Sequence, residues 1–137
     1  MNTFLPMHRC LDTAFFAPSR LYGLPTERTL NHTPRADILE GEKEFQVRLD
    51  MPGVRIDDLE INLENQMLTV KAEREFSTPE GYDALHREIP AKVNYERSFN
   101  ISKTVDVDGI SAKFENGILE ITLPRSAKSM PRQIEVH

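Results

Sequence analysis

The residue types that most often carry enzyme chemistry are present in this sequence, but not at the spacings that such chemistry requires. The four histidines are scattered and form no zinc-binding spacing; they are His8, His32, His86 and His137. The run Asp106-Val107-Asp108-Gly109 resembles the start of a calcium loop, yet no acidic residue follows at the required distance. There is no Gly-x-Ser-x-Gly turn and no glycine-rich phosphate loop. The sequence therefore predicts a protein that is not an enzyme and needs no metal, nucleotide or other cofactor.

The overall charge and the single cysteine restrict the partners and the compartment. The 137 residues suit one domain, and the formal net charge of -5 offers no basic face for nucleic acid. Cys10 stands alone, so no intramolecular disulfide can form, which is typical of a reducing compartment. No apolar run approaches the ~18 residues that cross a membrane, and the first residues lack the pattern of a secretory leader. We therefore expect a cytoplasmic protein without stable membrane insertion.

Alternation of apolar and polar residues points to the elements that build the domain. It runs through residues 45–51, 59–63, 110–114 and 119–123. Such a period of two is typical of half-buried strands with one face on a core. Pro52-Gly53 and Asn116-Gly117 are turn signals, and Asn-Gly is the strongest short hairpin signal. We predict an all-β, immunoglobulin-like antiparallel sandwich over residues 34–124.

Two flanking segments differ in composition from this predicted domain, and we expect both to be flexible arms. Residues 1–33 are interrupted by three prolines, yet they are rich in apolar and aromatic side chains, unlike an ordinary disordered tail. Residues 125–137 form a short tail that contains Ile134-Glu135-Val136 close to its end. Two β-branched apolar residues at strand spacing near a terminus indicate that the tail docks on another surface.

A long, partly apolar loop at residues 76–92 interrupts the domain. Long loops in compact domains are usually functional or disordered. The strand-like piece from Tyr82 to Glu88 suggests that the loop pairs with another chain.

Arg97 shares its strand parity with the apolar residues Val93, Tyr95, Phe99 and Ile101. An arginine on an apolar face needs a carboxylate or several carbonyls, because desolvating its charge costs several kcal/mol. Two interpretations stay open. Arg97 either forms a buried ion pair between strands or subunits, or lies at a sheet edge and reaches water along its aliphatic stem.

In these features the chain resembles the small heat-shock proteins, which share the α-crystallin domain, over about residues 34–136. The stretches that carry the resemblance are Pro34 to Ile38 with residues 45–54, Leu68 to Arg74, His86 to Glu88, Tyr95 to Phe99, Ala112 to Ile121, and Ile134 to Val136. Of these stretches, the one around Asn116-Gly117 is the most specific to the family. The chain departs from the family pattern at Asn100 and Ser102, where a basic residue and a proline are common.

The resemblance implies a sandwich that dimerises, and the length of the loop is similar to that of the bacterial and plant branch, whose loop strand pairs with the partner's sheet. The residues that it implies for the dimer interface are Tyr82, Leu85, His86, Arg87 and Arg97. The oligomer anchor would be Ile134 with Val136. The apolar residues of the N-terminal arm that we predict to bind clients are Phe4, Leu5, Phe15, Phe16, Leu21 and Tyr22.

From these features we expect an ATP-independent chaperone that assembles with itself from dimers and holds unfolding proteins. The arm residues could equally pack inside the oligomer. A co-chaperone or adaptor that binds one folded partner is the alternative, and a monomeric mass would favour it. An enzyme or lectin on the same sandwich would need a convergent polar pocket, which the sequence does not indicate.

Overall fold

The computed structural model describes residues 29–129 and Val136, and within them every long element is a β-strand. Eight strands follow one another along the chain. They are β1 (Thr29–His32), β2 (Ala36–Glu40), β3 (Glu44–Asp50), β4 (Leu59–Glu64), β5 (Met67–Glu75), β6 (Lys92–Asn100), β7 (Ser111–Glu115) and β8 (Ile118–Pro124). Three single-turn 3₁₀ helices complete the described part of the chain, at Ile56–Asp58, Val107–Gly109 and Ala127–Ser129.

The strands form two four-stranded sheets, with the orders β1-β6-β5-β4 and β2-β3-β8-β7. The predicted antiparallel β-sandwich is confirmed, and β1 is the one exception, since it runs parallel to β6. Strand β1 lies inside the segment 1–33 that we expected to be an arm. Its four residues are all exposed and show no alternation, so its sequence carries no strand signal; its pairing with β6 makes it a strand.

The core lies between the two sheets, and the alternating residues supply it. Leu49 and Leu119 face each other across β3 and β8 and are both 0% exposed. The other sheet contributes Val70 in β5 and Val93 in β6, which are also buried in the core. Burying a side chain of this size contributes roughly 1.5–3 kcal/mol. The sandwich is therefore held mainly by one continuous apolar layer.

Two hairpins use two-residue turns in the left-handed region. Asn116 and Gly117 join β7 to β8 with φ values of 54° and 75°. Asn65 and Gln66 join β4 to β5 with φ values of 49° and 62°. Turns of this kind match the right-handed twist of paired strands. The first was predicted from Asn-Gly, whereas the second lacks the glycine that would have marked it.

Candidate assembly surfaces

Each sheet ends in two edge strands, and these four edges are the first places where another chain could add. They are β1 and β4 in one sheet and β2 and β7 in the other. An edge strand presents backbone N–H and C=O groups that no strand of its own sheet uses. Strand β2 carries two exposed apolar side chains, Ile38 and Leu39, and the edges β1 and β4 also border apolar side chains that the described residues leave open.

Strand β1 is the first such edge. Leu30 is in register with buried Val93, yet 45% of its surface is exposed. His32 packs edge-on against the ring of Tyr95, with the ring centroids 5.6 Å apart. These contacts fix one side of β1 on β6. Its other side faces no strand within residues 29–129.

The loop between β5 and β6 carries four of the five residues predicted for the dimer interface. Tyr82 and Leu85 point outward, with 73% and 71% of their surfaces exposed. His86 Nε2 lies 3.1 Å from a carboxylate oxygen of Glu88. Arg87 donates to the hydroxyl of Thr78 at 2.5 Å. The predicted strand-like piece is not a strand in the single chain, because no free sheet edge of the described chain pairs with it.

The base of this loop is closed by its own backbone. The N–H of Phe76 donates to the carbonyl of Ala91 at 2.7 Å, which continues the pairing of β5 with β6 by one residue. Beyond that point the loop contains one backbone turn, in which the N–H of Tyr82 donates to the carbonyl of Pro79 at 3.2 Å, and side-chain contacts such as that of Arg87 with Thr78. The loop can therefore change shape without breaking the sheet.

Arg97 lies on the inner side of β6, as its parity predicted, and is half-buried. Its Nη1 donates to the carbonyl of Pro34 at 2.8 Å, and its guanidinium lies 5.3 Å from the centre of the Phe99 ring. No carboxylate within residues 29–129 forms an ion pair with it. Inside one chain, Arg97 therefore ties β6 to the link between β1 and β2.

The second open edge is a groove at the opposite end of the same sheet. Strand β4 and the segment that leads into β7 leave a cavity of about 610 Å³ between the two sheets. Its apolar lining is Ile61, Leu63, Leu68, Ile101, Val105, Val107 and Ile110. Val107 remains 55% exposed although it is β-branched and apolar. Cavities of this size and apolar character are typical of binding sites.

Sequence reasoning found Ile61, Leu63 and Ile110 as strand residues but did not recognise the groove. The groove lies between β4, at the edge of one sheet, and the 101–110 connection, which leads from β6 in that sheet to β7 in the other. Val105 and Val107 lie outside the strands, at a single bridge and in a 3₁₀ turn, so period-two alternation does not include them.

Of the predicted anchor, Val136 is described and 94% of its surface is exposed. Its companion Ile134 lies outside the described residues. The arm residues predicted to bind clients also lie outside them; they are Phe4, Leu5, Phe15, Phe16, Leu21 and Tyr22.

The charged side chains of the described part form surface pairs and no metal centre. No group of three or more His, Cys, Asp or Glu residues within it could hold a metal ion. A hydrogen bond from Lys92 to Glu73 raises the pKa of that lysine, and a hydrogen bond from Lys113 lowers the pKa of Glu115. Both pairs sit on strands, where they join neighbouring positions of a sheet. Among the described helices, none has the length and apolarity to cross a membrane.

Comparison with known proteins agrees with the β-sandwich. The family model of the Hsp20/alpha crystallin family matches residues 37–137. Small heat shock protein C2 of Rickettsia felis is 34% identical over 115 residues, which cover 84% of this chain and 73% of that protein.

Two solved structures share the fold. A small heat-shock protein from Xylella fastidiosa is 30% identical, with a TM-score of 0.60, over 77% of this chain and 97% of that one. Heat shock protein 16.0 from Schizosaccharomyces pombe is 29% identical, with a TM-score of 0.62, over 77% of this chain and 99% of that one.

The open edges, the apolar groove and these likenesses define a chaperone of the small heat-shock class. The chain belongs to the Hsp20/alpha crystallin family. Members of this family are ATP-independent chaperones of the stress response and are not enzymes.

Proposed function

We propose that this chain assembles with itself into oligomers and holds unfolding proteins so that they do not aggregate under heat or other stress. The observation that carries the proposal is the open apolar groove between β4 and the 101–110 connection, on a domain followed by a tail that contains Ile134-Glu135-Val136. A groove lined by aliphatic side chains is suited to β-branched apolar residues spaced two apart. The proposal includes the division of the chain into an N-terminal arm at 1–33, a β-sandwich domain at 34–124 and a C-terminal tail at 125–137.

The energetics of the tail suit a reversible assembly. Burying Ile134 and Val136 in a neighbour's groove would yield roughly 3–6 kcal/mol before the cost of ordering the tail. One tail therefore binds weakly and exchanges, whereas many tails in a closed assembly hold by avidity. Warming would shift this association equilibrium toward free dimers and expose the apolar surfaces. The switch needs no ATP, because it is only a change in association.

We propose that the dimer forms when the loop of one chain adds to β1 of its partner. Support comes from the unpaired outer side of β1, the partly exposed Leu30 and the exposed Tyr82 and Leu85. The loop can supply the N–H and C=O groups that such an edge accepts. The loop would gain in the dimer the strand conformation that it lacks alone. The predicted contacts of His86, Arg87 and Arg97 belong to the same interface.

Binding of clients is assigned to the N-terminal arm together with the groove. The support is compositional, since the arm holds three of the chain's seven phenylalanines within 33 residues. An unfolding protein exposes apolar surface, which such an arm can bind without a specific sequence. The cytoplasm is the proposed compartment, in line with the single Cys10.

The tail is tested by native mass measurement of Ile134→Gly with Val136→Gly. We expect large oligomers to be replaced by dimers. The matching change in the groove, Ile61→Ser with Val107→Ser, should give the same result, because it alters the other side of the contact. Ile56→Ser is the control, since Ile56 is 67% exposed, lies on none of the four edge strands and does not line the groove. Unchanged masses in both double variants would refute the tail contact.

The dimer contact is tested by Tyr82→Ser with Leu85→Ser, introduced into the chain that already carries Ile134→Gly and Val136→Gly, which we call the tail-free variant. We expect a monomeric mass at concentrations where the tail-free variant alone is dimeric. Ile56→Ser removes another apolar side chain, 67% exposed, that lies outside the loop, and it should leave the dimer intact. A dimer that survives the loop changes would contradict the proposed pairing.

Client binding is tested by the aggregation of a heat-labile protein, measured by light scattering without ATP. The full chain should suppress the scattering, and deletion of residues 1–24 should abolish the suppression while the domain stays folded. Addition of ATP to the full chain should change nothing. Full protection by the truncated chain would assign client binding to the groove rather than to the arm.

A further inference from the structure

The tail leaves the sandwich at a point that the structure holds tightly. The N–H of Arg125 donates to the carbonyl of Lys43 at 2.8 Å, and Arg125 forms an isolated antiparallel bridge with Val105. The N–H of Ser126 donates to the carbonyl of Thr104 at 2.7 Å. The tail is thus fixed through Ser126, although β8 ends at Pro124. We call residues 124–126 the tail root.

The side chain of Arg125 adds a second set of contacts, to the hairpin of β2 and β3. Its Nη2 forms an ion pair with Glu40, and its guanidinium lies 4.3 Å from the centre of the Phe45 ring. Only 22% of the side chain is exposed. The guanidinium is planar, and it is held at its edge by the ion pair and on its face by the aromatic ring, so it has one orientation. The ammonium group of a lysine would not be fixed in this way.

The arrangement also carries a cost in stability. The Nε of Arg125 is buried and has no hydrogen-bond partner within residues 29–129. A buried donor without a partner costs about 1–3 kcal/mol. The other basic side chains of this sheet avoid that cost; Arg48, for example, pairs with Glu120 at 3.1 Å on the exposed face.

We propose that Arg125 is a positioning residue for assembly: it sets the direction in which the tail leaves the sandwich, and so which neighbouring groove Ile134 and Val136 can enter. This inference rests on the proposed function of the tail. The tail root also touches the groove wall. The carbonyl of Thr104 accepts from the N–H of Ser126, the N–H of Asp106 donates to the carbonyl of Pro124, and Val105, which lies opposite Arg125 in the bridge, lines the groove. The same backbone contacts therefore fix both the direction in which the tail leaves the sandwich and the position of Val105 in the groove wall.

The length of the tail has a much smaller influence on which groove the anchor can enter. From Ser126 to Ile134 there are eight residues, which reach at most roughly 26–29 Å. Freeing the tail root back to Pro124 would lengthen the segment between the sandwich and Ile134 to ten residues. For a flexible chain this lowers the effective concentration of the anchor only about 1.4-fold. If replacing Arg125 changes assembly by more than this factor, the change comes from the direction of the tail and not from its length.

The direction is measured by spin-label distances in a Cys10→Ser background. Labels at Ser111→Cys in β7 and Lys128→Cys beyond the tail root report one intrachain distance when labelled chains are diluted into unlabelled ones. With Arg125 present we expect a narrow distribution. Arg125→Met keeps the aliphatic stem but removes the guanidinium, and we expect the width to increase about twofold.

The consequence for assembly is measured by native mass and by the rate of subunit exchange. Arg125→Met should broaden the distribution of masses and speed exchange at least about threefold, beyond the ~1.4-fold effect of length. Arg48→Met is the matched control, because it removes one positive charge from the same sheet away from the tail root. Glu40→Gln with Phe45→Leu releases the guanidinium while Arg125 remains, and it serves if Arg125→Met does not fold.

The outcomes separate this inference from the proposed function. An unchanged distance distribution overturns the inference, and so does a wider distribution with unchanged masses and exchange rate. If Ile134→Gly with Val136→Gly dissociates the oligomer while Arg125→Met leaves it intact, only the role of Arg125 fails. If that double variant leaves the masses unchanged, the proposed function fails, and the inference falls with it.

Discussion

Gly53 occupies a position at which both the backbone and the surrounding atoms oppose a side chain. Its φ is +78°, in the left-handed region. A Cβ atom placed there would lie 2.8 Å from Cδ of Arg74 and 2.9 Å from Cζ of Phe76. Arg74 cannot easily withdraw, since its Nη1 donates to the carbonyl of Pro52 at 3.0 Å and its guanidinium lies 5.0 Å from the Phe76 ring centre.

These two effects give the expected size of a Gly53→Ala change. The left-handed conformation costs a residue with a Cβ roughly 1–2 kcal/mol. Displacing packed neighbours costs roughly 1–3 kcal/mol more. We therefore expect the free energy of unfolding to fall by about 2–5 kcal/mol, and the loop base at Phe76 to shift.

Gly81→Ala is the matched control, because φ is +82° there but no atom lies within 4 Å of the added carbon. Only the conformational cost of about 1–2 kcal/mol should appear. The assay is equilibrium urea unfolding of both variants at one protein concentration, since association also stabilises the folded state. Equal losses in the two variants would refute the argument from close packing at Gly53.

Three further predictions concern the described domain. Leu49→Ala should lower the free energy of unfolding in urea by about 2–5 kcal/mol, because the side chain is fully buried. Arg97→Met should cost about 1–2 kcal/mol in the same assay, through loss of the bond to the Pro34 carbonyl. Lys113 lowers the pKa of Glu115 from its ordinary value of 4.5, so their pairing stabilises the fold above pH 4.5 and is lost as the pH falls through the lower, folded pKa. Acid titration of unfolding should therefore be less steep below pH 4.5 in Glu115→Gln than in the wild-type chain.

Much of the fold could be predicted from local sequence patterns. The residues that were not predicted are those whose structure depends on contacts distant in the sequence or on a turn without glycine. Val47 and Ile121 were placed on the core side by alternation, and both are buried. Strand β1 was not predicted, because four exposed residues become a strand only through the edge of β6. The turn at Asn65 and Gln66 was missed because neither residue is glycine, although both have positive φ.

The candidate surfaces were less accessible to sequence reasoning than the strands. The exposed Tyr82 and Leu85 could be found, since apolar residues in a long loop are unusual. The groove could not, because its walls come from β4 and from the 101–110 connection, which are distant in the sequence and of which the second is not a strand. The partner of Arg97 is the Pro34 carbonyl, 63 residues away in the chain, and no side-chain pattern indicates a backbone acceptor.

The two proposed contact surfaces lie at opposite ends of one sheet, and this separation predicts that they act independently. Strand β1 is the first strand of that sheet and β4, which lines the groove, is the last. Three strand spacings of about 4.8 Å place these edges roughly 14 Å apart. Changes separated by more than about 7–10 Å, without shared partners, usually add.

Dimerisation through the loop and oligomerisation through the tail should therefore be separable steps. Combining Leu85→Ser with Val107→Ser tests this, with the free energies of the two associations measured by dilution. We expect the effect of each change to be the same in the presence and absence of the other, within about 0.5 kcal/mol. A larger coupling would mean that the sheet transmits strain from β1 to the groove. In that case the dimer would itself gate the binding of tails and clients.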